Sequence, residues 1–332
     1  MATLKEVAAR AGVSIRTVTR VLAGAADVSA ETRERVEHIA RELDYRPHPL
    51  ARGLKLRRSH IVAAIVHRPD ELAFEKVCVL ERELRAAGYV VQLVFNGGGA
   101  AEEAGLVAEA LANHAAALAV FTAARSAEEA GHLEALHESG RAYVLVDRQP
   151  SPGLDTVLID RQAGVAAAVG RLLDGGHRQV FYLGPAGIER EEGFVRAFAA
   201  RGLALPDGWR LAEGWRATPE SGREAGGRLA SLRPEATAVF AYSDLFAYGV
   251  IEGLRAAGVD VPGRVSVVGF DDRLPSRFVS PPLSTVAHPH KEVGRLAANV
   301  LLGKLDGTVR PGEGTRTAVP SYVERQSTRD LA

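Results

Sequence analysis

The sequence predicts a small all-helical head followed by a larger α/β body that is built as two lobes. Residues 1–46 contain short helical patterns, and from residue 60 onward apolar strand-like runs alternate with amphipathic stretches. Charge divides the chain in the same place. Residues 1–58 hold 12 of the 41 Lys and Arg residues but only 7 of the 41 Asp and Glu residues, a balance of +5 in a chain of net charge 0. A basic head on an acidic body indicates a polyanionic partner for the head.

Three short helices are predicted in the head from their capping signals. Thr3 stands three residues before a glutamate, the spacing of a capping box, and Gly12 can end the first helix in the left-handed conformation. Ser14 can cap a second helix within "IRTVTRVLAG", and Ser29 a third within "VSAETRERVEHIARELDY". Two short helices that are joined by a Gly-Val-Ser turn are typical of the helix-turn-helix motif.

The second helix divides into an apolar face and a basic face at roughly 100° per residue. Val18, Val21 and Leu22 cluster on one side and must pack against the other two helices. Arg16 and Arg20 lie on the opposite side and point outward. A recognition helix presents such side chains to base edges in the major groove, where arginine is suited to guanine. The alternative is a solvated basic face on a purely structural three-helix bundle.

The first turn of the same helix adds three candidates for DNA contact. Ile15 lies beside the positive helix end, where side chains reach base edges. Ser14 and Thr17 carry hydroxyls suited to phosphate oxygens, which fix the register of a protein on DNA without reading sequence. The predicted DNA-contacting residues of the head are therefore Ser14, Ile15, Arg16, Thr17 and Arg20.

The segment "RPHPLARGLKLRR" that follows the head combines features that favour and disfavour a helix. Leu50 and Leu54 are four residues apart, as on one helix face, whereas Pro49 and Gly53 weaken a helix. A helix of about eight residues is also well below the ~12–15 that an isolated helix needs. We expect this segment to become helical only when a partner covers the two leucines.

The head and this segment together resemble the start of the lactose-repressor (LacI/GalR) family of transcription regulators. The resemblance rests on "TLKEVAARAGVSIRTVTRVLAG" followed by "VSAETRERVEHIARELDYRPHPLARGLK". It implies that Ile15, Arg16 and Arg20 read bases, and that residues 47–58 form a hinge helix that folds when two copies meet in the minor groove of operator DNA. In that family, the position of Leu54 holds a side chain that wedges between central base pairs. The implied DNA contacts of the hinge are Ala51, Arg52, Leu54 and Lys55.

The body, residues 59–327, is predicted to contain parallel sheets with helices on both faces. Strand candidates are "IVAAIV", "YVVQLVF", "ALAVF", "AYVLV", "TVLI", "QVFYLG", "AVFAY" and "VSVVGF". Continuous apolar strands separated by helical stretches are typical of parallel sheets covered on both faces. About ten strands are more than a single sheet usually contains, so two lobes are predicted. In such sheets, ligands bind beyond the carboxyl ends of the strands.

Polar residues follow several of these strands. Asp147 follows "AYVLV", Ser243 follows "AVFAY" and Asp271 follows "VSVVGF". Carboxylates at strand ends can accept hydrogen bonds from sugar hydroxyls, and an aromatic side chain such as Trp215 or Phe74 can lie against a ring face. Taken singly, each of these residues has an alternative role as a helix N-cap or a core residue.

The body resembles the effector-binding core of the same family, a periplasmic-binding-protein type I fold. The resemblance rests on "LLDGGHRQVFYLG", "REEGFVRAFAARGL", "YSDLFAYGVIEGLRAAGVDVPGRVSVVGFDD" and "PPLSTVAHPHKEVGRLA". Ser243 stands where the family commonly has asparagine. The implied lobes are residues 60–157 plus about 287–315, and about 158–284 plus 317–325. The implied effector-binding residues are Phe74, Asp147, Arg190, Trp215, Ser243 and Asp271.

The motifs of common enzyme classes are absent from the sequence. There is no G-x-S-x-G or H-E-x-x-H motif, and "GVDVPGRV" lacks the Lys-Ser/Thr pair of a phosphate loop. The single cysteine, Cys78, excludes an internal disulfide and is expected to be a buried thiol. We therefore predict no catalytic residue, no metal site and no cofactor.

A transport receptor for the same ligand class would carry a signal peptide and lack a basic head. "MATLKEVAARAGV" has no apolar core, and no run approaches the ~18 apolar residues of a membrane helix. A cytoplasmic protein with no membrane partner is the expectation.

The combined interpretation is a DNA-binding transcription regulator, expected to be a repressor. The sequence stops without the heptad tail that a tetramer would need, so a homodimer on pseudo-palindromic operator DNA is expected. A sugar is the favoured effector, and a purine or nucleoside co-repressor is the alternative. The hypothesis for the mechanism is that a ligand in the interlobe cleft changes the angle between the lobes, and with it the spacing of two hinge segments.

Overall fold

The computed structural model describes residues 3–22, 25, 28–43, 45, 59–67, 69–211 and 214–331. The chain divides into two compact units, of which the first holds the head and the second holds nearly all of the body. The predicted hinge, residues 47–58, lies outside the described residues. The hinge residues proposed to contact DNA, which are therefore also outside them, are Ala51, Arg52, Leu54 and Lys55.

The head contains the three predicted helices. They are α1 (Leu4–Ala11), α2 (Ile15–Leu22) and α3 (Ala30–Glu42). The capping box is present, because the Thr3 hydroxyl accepts from the backbone N–H of Glu6 while the Thr3 N–H donates to the Glu6 carboxylate at 2.7 Å. Gly12 ends α1 with a φ of 65°, and Ser29 caps α3. Local signals were sufficient here because each helix is delimited by its own neighbouring residues.

The head has a hydrophobic core of its own between the three helices. Its buried members are Val7, Ala8, Ala11, Val18, Val21, Val36, Ile39 and Ala40. Full burial of a valine such as Val18 stabilises the fold by about 1.5–3 kcal/mol. Since Val18 and Val21 face this core, the opposite side of α2 must face outward.

The first lobe of the body is a six-stranded sheet. Its strands are β1 (Ile61–His67), β2 (Val90–Asn96), β3 (Ala117–Phe121), β4 (Ala142–Val146), β5 (Thr156–Ile159) and β11 (Arg316–Ala318), in the order β11-β5-β4-β3-β1-β2. Its helices are α4 (Glu71–Ala86), α5 (Ala100–Ala112), α6 (Gly131–Glu138) and α11 (His290–Asp306), with a 3₁₀ turn at Ala127–Glu129. Strand β3 is buried at every position and pairs in parallel with β1 and β4, as the continuous apolar runs predict.

The second lobe repeats this arrangement. Its strands are β6 (Val180–Leu183), β7 (Arg210–Leu211), β8 (Ala238–Ala241), β9 (Ser266–Asp271), β10 (Ser284–Ala287) and β12 (Ser321–Val323), in the order β12-β10-β9-β8-β6-β7. Its helices are α7 (Arg161–Asp174), α8 (Glu189–Ala199), α9 (Pro219–Leu232) and α10 (Asp244–Ala256), with a 3₁₀ turn at Leu274–Arg277. Helices α9 and α10 approach so closely that a Cβ on Gly249 would lie 1.9 Å from the Pro219 carbonyl oxygen.

The described chain passes between the two sheets three times: from β5 to α7, from β10 to α11 and from β11 to β12. The first lobe extends beyond the predicted limits of residues 157 and 315. Strand β5 continues to Ile159, and β11 pairs in parallel with it, with Arg316 opposite Val157. The sequence "RTA" of β11 has two exposed positions and so carries little of the apolar signal by which a strand is recognised.

No helix in the described part of the chain is both long enough and apolar enough to cross a membrane.

Candidate functional site

The outward face of α2 is the first candidate site. Arg16 is exposed, and Arg20 lies one turn further on the same side, opposite the buried Val18. Ser14 is the N-cap, because its hydroxyl accepts from the backbone N–H of Thr17 at 3.1 Å. The hydroxyls of these two residues also lie 2.9 Å apart. The predicted residues Ser14, Ile15, Arg16, Thr17 and Arg20 therefore occupy the first two turns of one short helix, an arrangement that can enter a major groove.

The second candidate site lies in the body, at the carboxyl ends of the parallel strands. Asp147 directly follows β4 with a φ of 78°, and Asp271 ends β9 with a φ of 126°. Residues other than glycine rarely hold a positive φ, which costs on the order of 1–3 kcal/mol and is found preferentially at functional sites. Both backbone conformations mark these strand ends as a candidate ligand site, here called the interlobe cleft.

Asp147 is held between two cations. The Lys76 Nζ donates to Asp147 Oδ2 at 2.7 Å, and Arg161 donates to Oδ1. Arg161 also pairs with Glu189 at 3.1 Å. Burial opposes ionisation of Asp147, but Lys76 and Arg161 outweigh it and hold the pKa of Asp147 far below its ordinary value. This carboxylate is therefore permanently ionised at any physiological pH.

Asp271 also lies near two cations, at longer distances. Arg190 Nη2 is 3.8 Å from Asp271 Oδ1, and Arg273 Nε is 3.5 Å from Oδ2. Burial raises the pKa of Asp271 to about 6, although Arg190 and Arg273 act to lower it. The guanidinium of Arg273 reaches across the cleft, since it pairs with Asp70 at 3.1 Å and with Glu71 at 3.2 Å. These ion pairs join the second lobe to the start of α4 in the first.

Trp215 and Ser243 also lie in the second lobe. The Trp215 ring is half-buried, with its centroid 5.6 Å from that of Phe246. The Ser243 hydroxyl is buried and accepts from the backbone N–H of Phe246 at 3.4 Å, so Ser243 is the N-cap of α10. An N-cap role was the alternative that the sequence left open for this residue.

Phe74 lies on the exposed side of α4. Its side chain is 58% exposed, and it lies roughly 200° around α4 from Lys76, which faces Asp147. Cys78, which was expected to be buried, is exposed on the same outer side. The expectation for Cys78 was wrong because of the phase of α4, whose buried side is formed by Ala73, Lys76 and Leu80. Contact of Phe74 with an effector stays a prediction.

Sequence reasoning missed Lys76, Arg161 and Arg273. Lys76 stands at an apolar position of the α4 pattern, and a buried lysine there was the signal that could have identified it. Arg161 and Arg273 each follow a strand-end aspartate by one or two residues. Among the described residues no cluster of three or more His, Cys, Asp or Glu side chains could hold a metal ion.

Family comparisons cover both parts of the chain. Residues 3–48 match the family model of "Bacterial regulatory proteins, lacI family", and residues 169–328 match that of a "Periplasmic binding protein-like domain". The chain is 31% identical to the HTH-type transcriptional repressor CytR of Escherichia coli, over 99% of this chain and 97% of CytR. It is 30% identical to the HTH-type transcriptional repressor PurR of Erwinia tasmaniensis, over 99% and 98%. The HTH-type transcriptional regulator CelR of Thermobifida fusca is 33% identical, over 92% of both chains.

Solved structures show the same fold. The lac repressor dimer bound to operator and an anti-inducer matches with a TM-score of 0.85 at 24% identity, over 99% of both chains. A complex of the transcriptional regulator CelR with cellobiose matches with a TM-score of 0.70 at 28% identity, over 98% of this chain and all of that one.

Proposed function

Since this chain belongs to the lacI family of bacterial regulatory proteins, we propose that it represses transcription by binding operator DNA under the control of a small polar effector. The chain is a DNA-binding transcription regulator. The observation that carries the proposal is the basic side of α2, where the exposed Arg16 and the half-buried Arg20 lie opposite a fully buried Val18. A short helix with one buried and one basic side is what recognition of a major groove requires.

The DNA contacts are proposed residue by residue. Ile15, Arg16 and Arg20 read base edges, while the hydroxyls of Ser14 and Thr17 contact phosphates. In the hinge segment, Leu54 acts as a wedge in the minor groove. Its proposed neighbours on the DNA are Ala51, Arg52 and Lys55.

The effector is proposed to bind in the interlobe cleft, in contact with Phe74, Asp147, Arg190, Trp215, Ser243 and Asp271. A sugar is the favoured effector class, because carboxylates and guanidinium groups suit hydroxyls, and CelR has been solved in complex with cellobiose. A purine or nucleoside co-repressor is the second candidate. The half-buried ring of Trp215, which could stack on a base, is the observation that favours it.

The ligand is proposed to act by changing the relation between the lobes. The ion pairs of Arg273 with Asp70 and Glu71 already connect the two lobes across the cleft. A ligand that prefers one lobe arrangement shifts the balance by its difference in affinity for the two states. In this proposal a sugar releases the operator by separating the two hinge segments, whereas a co-repressor would strengthen operator binding.

A homodimer is proposed as the active state, and the lac repressor structure that matches this chain is a dimer on its operator. Exposed apolar side chains of the body support an interface: Val90 and Phe95 lie on the edge strand β2, and Leu274 and Phe278 lie at the 3₁₀ turn beyond β9. We propose no catalytic activity and no cofactor. A cytoplasmic location follows in this proposal from the need to reach operator DNA.

The proposed function is tested by selecting operator sequences with the full-length protein and measuring binding by fluorescence anisotropy. Arg16→Ala should weaken binding of the selected operator by roughly 1–3 kcal/mol, because a contact to a base edge is lost, and should relax the preference at one base pair. Arg35→Ala removes the same charge from an exposed position of α3 and is the matched control. Equal, sequence-independent losses in the two variants would contradict the assignment of α2 as the recognition helix.

A further inference from the structure

The interlobe cleft contains more buried positive charge than buried negative charge, even when the fully buried Asp244 is counted with Asp147 and Asp271. Its four cationic side chains are 5 to 20% exposed; they are Lys76, Arg161, Arg190 and Arg273. Of the carboxylates that they contact, only Asp147 and Asp271 lie inside the cleft. The other three are about half exposed; they are Asp70, Glu71 and Glu189. Carboxylates in contact with water compensate buried cations only weakly.

Several donors in this region have no acceptor. The Nε of Arg190 is buried and has no hydrogen-bond partner, and the buried Nε of Arg273, although 3.5 Å from Asp271 Oδ2, makes no hydrogen bond either. A guanidinium nitrogen can only donate, so each of these atoms requires an acceptor. The Lys76 ammonium has three donor hydrogens, of which the contact with Asp147 uses one. Because buried polar groups in proteins are nearly always paired, these donors indicate that the cleft is built for a ligand rich in acceptor atoms.

His288, whose backbone contacts Asp271, adds a further unpaired atom. It lies between β10 and α11, where the chain passes from the second sheet to the first, and its backbone N–H donates to the Asp271 carbonyl at 3.2 Å. Its side chain is buried, and its Nδ1 has no hydrogen-bond partner. Burial and then the charge of Lys76 hold the pKa of His288 well below its ordinary value, and Arg161 and Arg190 act in the same direction. The charge of Asp147 acts in the opposite direction on the pKa of this imidazole.

We propose that the effector carries an anionic group, a carboxylate or a phosphate, which lies between Lys76, Arg161, Arg190 and His288. This inference rests on the proposed function, because it specifies the chemical class of the ligand of the same cleft. The effector is then an acidic sugar or a sugar phosphate, with the anionic group on these four side chains and the hydroxyls on Asp271. Charge-assisted hydrogen bonds are about twice as strong as neutral ones, so the anionic group provides a large part of the affinity.

The test is a calorimetric and thermal-shift titration of the full-length protein at constant ionic strength. The compounds are matched sets: glucose, glucuronate and glucose 6-phosphate; galactose, galacturonate and galactose 6-phosphate; and adenosine with AMP. Inorganic phosphate is titrated alone. We expect an anionic member to bind at least about tenfold more tightly than its neutral counterpart. The stronger of the carboxylate and phosphate members identifies which anion the cleft accepts.

Two variants locate the site. Lys76→Met and Arg161→Gln each remove one cation and leave Asp147 with the other, and each should weaken the anionic ligand about tenfold without changing the affinity of the neutral counterpart. Lys291→Met removes an exposed lysine of α11 and should have no effect. A melting curve of each ligand-free variant verifies folding, and two variants are used so that one unstable protein does not prevent the test.

Three results would overturn the inference: a neutral compound that binds as tightly as its anionic counterparts, anionic binding that is unchanged in both variants, or no binding of any anion, inorganic phosphate included. Operator binding is measured on the same preparation. A neutral effector that alters operator affinity would refute the anionic site and support the proposed function. Failure to bind any operator would refute the proposed function itself.

Discussion

Asp147 and Asp271 occupy equivalent places in the two lobes, yet their carboxyl groups behave in opposite ways. Both lie at the carboxyl ends of buried parallel strands, both have a positive φ and both face two cations. Lys76 donates directly to Asp147 at 2.7 Å, whereas the nearest cation contacts of Asp271 are 3.5 and 3.8 Å long. The pKa of Asp147 is therefore lowered, and burial raises that of Asp271 to about 6. Direct contact decides which of two similar carboxylates is a fixed charge and which is available to a ligand.

The two residues should differ most in how much each contributes to the stability of the protein. Asp147→Asn should lower the free energy of unfolding by about 3 kcal/mol, because it leaves the buried Lys76 and Arg161 without their shared counter-charge. Urea denaturation at pH 7 measures this. Asp271→Asn is the matched variant and should leave stability unchanged or slightly raised. Equal losses in the two variants would mean that the two carboxylates are not distinct.

The two residues should also make the stability depend on pH in opposite directions. This effect should be smaller than the loss of stability in Asp147→Asn. A carboxyl group whose pKa is raised on folding favours the folded state at low pH, so the contribution of Asp271 should decline by on the order of 1–3 kcal/mol as pH rises from about 4 to 6. The lowered pKa of Asp147 gives a contribution that is constant over this range and is lost only under stronger acid. Comparing each Asn variant with the parent protein in urea at several pH values tests both statements. If the difference in free energy of unfolding between Asp271→Asn and the parent protein did not change with pH, the two carboxyl groups would not differ in the way described.

The ion pairs that cross the cleft should have the smallest effect on stability. Arg273→Gln removes the contacts with Asp70 and Glu71, which are about half exposed, together with a 3.5 Å contact with Asp271 that is too long for a hydrogen bond. It should cost less than about 1 kcal/mol, with the difference reduced in high salt. Arg295→Gln, which removes an exposed pair with Glu292 on α11, is the control for an ion pair within one helix. A large loss that is insensitive to salt would show that Arg273 acts as a buried structural group and not as a contact between lobes.

The head could be predicted from the sequence because its signals are local. Thr3, Gly12 and Ser29 delimit helices within a few residues, and the two sides of α2 follow from its spacing alone. The same reasoning placed Asp147, Ser243 and Asp271 at the ends of buried strands.

The charge pairs of the cleft could not be predicted in this way because their members are distant in sequence. Lys76 and Asp147 are 71 residues apart, and Arg273 is 202 residues from Glu71. A strand-end aspartate shows where a ligand site lies but not which cation reaches it. Cys78 shows the converse, since it was expected to be buried and the phase of α4 turns it outward.

The most direct test of control by the cleft is a titration of labelled operator with the full-length protein, with and without a compound that raises its melting temperature. We expect the compound to change operator affinity by about tenfold in the parent protein and to have no effect on Asp271→Asn, which should bind operator normally. A compound that binds the protein but leaves operator affinity unchanged would contradict the coupling of cleft and DNA.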